Sequence, residues 1–207
     1  MNRATKIAAS SLGVYAGLVG IEHGIFEILQ GGQSTGGLMI NAIGPPCQAA
    51  EVWHACFPAL TLIPNFLVSG ILATLVGLSV VVWSAGFVQR KNGGQVLIAL
   101  SLLMFFMGGG FVPTYIGLIA GVTGTRILSP LTWWSKRPRF VLRFLESLWP
   151  WAVVILLLWL PASWVLGHFF NQALLNLGPL IFFITDLGFP LLILSSGIAY
   201  DIQTIMY

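Results

Sequence analysis

The chain holds three histidines and six acids, and most of them fall where a polar side chain must have a reason to be. His23 and Glu27 lie four residues apart in an apolar stretch, on one side of a helix. Glu51 and His54 lie three apart and face one point if that stretch forms a helical turn. Imidazoles with carboxylates suit zinc, iron, manganese or copper, so His23, Glu27, Glu51 and His54 form a candidate transition-metal set. With His168 they form a candidate ligand-binding set. Glu51-x-x-His54 has the spacing of one half of a carboxylate di-iron site, but the chain holds no second Glu-x-x-His. His23 also precedes Gly24 on a helix face where an imidazole could ligate a haem or chlorophyll metal, a reading that competes with a plain helix-contact histidine. Local hydrogen bonds and solvation are the bland alternative for the loop pair.

Asp186 lies inside a hydrophobic run, four residues before Pro190. Broken backbone near a proline can offer carbonyls to an ion or proton, and a carboxylate within a span is costly enough to suggest an ion or proton pathway. A hydrogen-bonded Asp at a helix contact is the competing account. Cys47 and Cys56 are the two cysteines. Without a Cys-x-x-Cys motif, a disulfide restraining an extracytoplasmic loop is the better expectation than a redox centre. Phosphate loops, dinucleotide glycine patterns, nucleophile elbows and His-Glu-x-x-His are absent from the sequence.

The elements that must position these residues are membrane helices. The sequence is 57% hydrophobic and 7% charged, with a mean hydropathy of +0.92, where a soluble domain carries about 25% charged residues. A single all-α integral membrane domain over 1–207 is expected, with four full transmembrane helices at about 7–29, 61–88, 151–168 and 179–199. The third hydrophobic segment, 95–125, is broken by glycine and proline at 108–113. Its halves are each about 20 Å long against a hydrocarbon core of about 30 Å, which favours a re-entrant or short helical hairpin over one kinked span. Residues 30–60 form an outer loop. Asn171 and Asn176 mark a second, shorter one.

Gly13, Gly17, Gly20 and Gly24 form a stripe on the first helix, and Gly70, Ala73, Gly77 and Ser84 form a small-residue face on the second, as close helix contacts in lipid require. Glu22 points nearly opposite the stripe. Residues 127–148 make a cytoplasmic segment containing an interfacial amphipathic helix. Arg139 and Arg143 are on its polar face towards anionic lipid, and Trp133, Trp134 and Trp149 supply headgroup-level aromatics.

No Lys or Arg occurs between Lys6 and Arg90. The basic residues cluster at Arg3 and Lys6, at Arg90 and Lys91, and from Arg126 to Arg143, so they read as topology markers rather than a nucleic-acid surface. They predict a multi-pass protein of the plasma (cytoplasmic) membrane with both termini cytoplasmic and the His/Glu cluster outside. The leading functional expectation is a membrane protein that binds a small ligand or ion at that cluster and moves it through the bundle. The alternative is a structural or accessory subunit, docked to membrane-protein partners or to copies of itself. A membrane-embedded metal-dependent enzyme comes third.

Overall fold

The computed structural model describes residues 1–41 and 57–206, and they are mostly helical. The first helix, α1 (Arg3–Leu29), is followed by a short antiparallel pair, β1 (Met39–Asn41) with β2 (Pro58–Leu60), and then by α2 (Phe66–Gly86). Two 14-residue helices come next, α3 (Gly93–Phe106) and α4 (Phe111–Gly124), then the single turn α5 (Thr132–Ser135). The chain ends in α6 (Arg139–Ile181), a π-helical segment (Phe182–Gly188) and α7 (Phe189–Met206). Three stretches are long and apolar enough to cross a membrane: Arg3–Leu29, Phe66–Gly86 and Arg139–Ile205.

Small residues set the closest helix contact. A Cβ built on Gly17 would lie 2.7 Å from the Gly77 carbonyl oxygen, and one on Gly24 would lie 2.7 Å from that of Gly70. Two backbones therefore touch along α1 and α2, a packing in which dispersion replaces the hydrophobic drive missing in lipid. Gly13 packs on Ser84 of α2, but Gly20 turns to Met104 of α3. The stripe thus serves two neighbours.

The broken segment is an antiparallel pair. Gly94 of α3 packs on Gly121 and Gly124 of α4, and Gly117 packs on Ser101. Gly108 (φ 95°) and Gly110 (φ 87°) make the turn between them in a region that L side chains rarely adopt. Pro113 sits in the first turn of α4, where its missing N–H costs nothing. The turn is tied to the β pair: Gly108 N–H donates to Leu60 O at 2.9 Å, and Leu62 N–H donates to Phe106 O at 3.0 Å.

The last third departs from expectation. Asn171 and Asn176 are helical, not in a loop: helix continues from Arg139 into the π segment, interrupted by non-helical angles at Phe170 (φ −130°, ψ 31°). The chain folds back there. Leu142 packs with Ile198, Ala199 and Ile202, and Trp149 lies over Gly197. The amphipathic segment is accordingly the opening of α6 and not a separate helix. Phe140 and Phe144 are exposed on it, but Leu142 and Trp149 are buried, so Trp149 is a core residue where a headgroup aromatic was predicted. Trp133 is exposed, as such a residue should be. The second helix is also shorter at both ends than predicted, starting where Asn65 caps it by accepting from Val68 N–H at 3.1 Å.

One end of the molecule collects the helix termini that bear the basic residues. Asn2 N–H donates to Ile127 O at 2.9 Å, and its side chain to Arg126 O at 2.8 Å. Asp201 of α7 accepts from the N–H groups of Ala4 (3.0 Å) and Thr5 (2.7 Å) and from the Thr5 hydroxyl (2.7 Å), so a distant carboxylate caps α1.

Candidate functional site

In the opposite half, α1, α6 and the π segment line a half-open cavity of about 40 Å3 that contains a group of polar side chains. Tyr15, Glu22 and His23 enter it from α1, Ser163 from α6 and Asp186 from the π segment, among the apolar walls of Val19, Val112, Leu160, Trp159 and Phe57. All of the polar residues except Glu22 are buried; Glu22 is half-buried. The cavity has room for water-sized occupants and polar partners to hold them.

Each side chain arrives for a local reason. Positions 15, 19, 22 and 23 fall on one face of α1 by helical spacing, as do 159, 160 and 163 on α6. Asp186 arrives through the π turn. Pro190 has no N–H to give the carbonyl four residues back, that of Asp186 itself, and the ladder re-registers over Phe182–Gly188. Tyr115 of α4 helps to hold this turn, its hydroxyl donating to Leu187 O at 3.3 Å.

His23 and Asp186, assigned from the sequence to separate roles, line one space. Glu27 does not line it. Its side chain is fully buried against Gly70 and Gly108, with Ser69 of α2 as the neighbouring hydroxyl. The turn between α3 and α4 covers both residues: a Cβ on Gly108 would overlap the Glu27 carboxyl, and one on Gly110 would lie 2.8 Å from His23 Nε2. His168 is exposed on α6 and stands edge-on to Phe169, away from the cavity lining. Glu51, His54, Cys47 and Cys56 lie outside the described residues, so the metal set and the disulfide fall partly or wholly there. Among the described residues, no three His, Cys, Asp or Glu side chains are grouped to hold a metal ion.

Sequence reasoning passed over Tyr15, Ser163 and the inward turn of Glu22. The signal was present: Tyr15, Glu22 and His23 recur at positions i, i+7 and i+8, with Tyr15 and Glu22 on the side opposite the glycine stripe and His23 at its edge. Chemically, two carboxyls, an imidazole, a phenol and a hydroxyl lining one water-sized space can hydrogen-bond a small cationic group or pass protons, without the convergence that a metal ligand set needs.

The class defined by this fold is a mostly helical protein with three apolar helical stretches able to cross a membrane, and a half-open cavity that holds polar side chains. Compared with known proteins, the chain matches no family model, no curated sequence and no solved structure.

Proposed function

We propose that this multi-pass protein binds a small cation in the cavity of Tyr15, Glu22, His23, Ser163 and Asp186 and passes it across the bilayer. The observation that carries the reading is the burial of Asp186 beside His23 within apolar spans. Ionisable groups gathered within apolar spans are rare, and they commonly mark an ion or proton path.

The accompanying topology has α1 and α2 each crossing once and α6 and α7 crossing as an antiparallel pair. The helices α3 and α4 enter and return as a short hairpin, each only about 21 Å long. The basic termini face the cytoplasm at the plasma membrane, with Arg139 and Arg143 meeting anionic headgroups. A transition metal held by His23 or Glu27 needs Glu51 and His54 to approach them, and haem or chlorophyll at His23 needs room that the turn at Gly110 takes up. The accessory-subunit reading draws on the exposed Phe140 and Phe144.

Cation flux into proteoliposomes tests the proposal. The wild-type protein should pass at least one of NH4+, Na+ or K+ above the empty-vesicle rate, and Asp186→Asn should remove that flux. Equal flux in the variant would discard it.

A further inference from the structure

Outside the polar cavity, between α1 and α6, lies an apolar space of about 270 Å3 lined by Leu18, Ile21, Ile25, Phe26 and Trp164. Glu22 and Leu160 belong to the lining of both spaces. The outer one opens towards the bilayer side of the bundle, where Leu18, Ile25 and Trp164 are exposed. Trp164 stacks on Phe26 with ring centroids 6.1 Å apart, bracing one wall of the space. A carboxylate thus stands at the junction between a water-sized polar space and an apolar one that faces lipid.

We infer that the ligand of this site is a primary ammonium group on an apolar chain, entering sideways from the bilayer with its head in the polar cavity and its chain between α1 and α6. The inference rests on the cavity being the binding site proposed above and specifies its occupant. Charge favours a cationic head: the acids Glu22 and Asp186 outnumber His23 in the cavity lining, and neither space is lined by Lys or Arg. The aromatic neighbours Tyr15, Phe57 and Trp159 suit a cation as well. Size favours a compact head, because a space of about 40 Å3 suits –NH3+ better than a bulkier trimethylated group. The apolar space beside it fixes the chain, whose transfer out of lipid is nearly neutral and whose fit is a matter of packing.

The test is photolabelling of the full chain in phosphatidylcholine nanodiscs with a dodecylamine that carries a diazirine at the chain end. Label should concentrate on the peptides containing Leu18 to Phe26 and Leu160 to Trp164. Dodecylamine should compete, whereas dodecanol and dodecyltrimethylammonium should not. Glu22→Gln should weaken the labelling about tenfold, as expected when a charged hydrogen-bond partner is lost. Ile25→Trp, which fills the apolar space and leaves both acids in place, should weaken it as well, and this second variant keeps the test open if Glu22→Gln fails to fold. Label spread evenly over lipid-facing residues such as Leu75 and Leu158, or equal competition by dodecanol, would overturn the inference. If that happens while Asp186→Asn still removes cation flux, the amine is wrong and the cavity reading stands.

Discussion

Gly108 rests against the carboxyl group of Glu27 so closely that a methyl group at Gly108 would overlap one oxygen and lie 2.6 Å from the other. The turn between α3 and α4 is thereby pinned to α1 at the level of the candidate site. Its positive φ adds a second reason for glycine. Gly108→Ala should destabilise the protein by about 2 kcal/mol or more, from backbone strain and steric overlap together. Adding Glu27→Ala should restore part of that loss, because it removes the overlap and leaves the strain. Thermal unfolding of the two single variants and the double variant measures the coupling. Strict additivity would show that the contact is not felt.

The contact between α1 and α2 gives a sharper contrast. Gly17→Leu must drive apart two backbones in contact at Gly77, whereas Leu18→Ala trims a side chain exposed on the outer surface. We expect a loss of about 3 kcal/mol or more for the first and under about 1 kcal/mol for the second. Similar melting shifts in detergent would mean that the glycine face does not carry the packing.

Asp201 caps α1 across nearly the whole length of the chain. Asp201→Ala leaves two buried N–H groups unanswered and should cost about 1–3 kcal/mol. Thr5→Ala, which loses only the hydroxyl contact, should cost less. Hydrogen exchange at Ala4 and Thr5 should rise in the Asp201 variant, and unchanged protection there would contradict the capping role.

What could be read from the sequence follows from the range of the forces involved. The glycine stripe and the Gly108–Gly110 break are local features that announce themselves, because few residues other than glycine serve at a backbone contact or a positive φ. Asn171 and Asn176 resemble loop residues by composition, yet the chain reverses at Phe170 with the helix continuing on either side. No local rule marks Phe170. Trp149 was misread because the partner that buries it, Gly197, is far away in sequence. For the same reason the meeting of Asp186 with His23 and Tyr15 could not be read from any spacing, since it depends on how α6 and the π segment fold back onto α1.

The orientation can be tested with single cysteines at Ser135, Thr204 and Gly36 in a background where Cys47 and Cys56 are replaced by serine. Maleimide should reach Ser135 and Thr204 only from the cytoplasmic side and Gly36 only from outside, as the clustered basic residues require. Ser135 reacting from outside would reject the short hairpin of α3 and α4.

Ligand binding in the cavity is tested most directly by the melting temperature of the purified protein as NH4+, Na+ or K+ is titrated at constant ionic strength. A ligand that binds only the folded state raises that temperature in a saturable way. The account predicts saturable stabilisation by at least one of these cations in the wild type. It also predicts that the effect is abolished by Asp186→Asn and by Ser163→Leu, which fills the cavity from the opposite wall. Stabilisation of equal size in both variants, or none by any cation in the wild type, would contradict it.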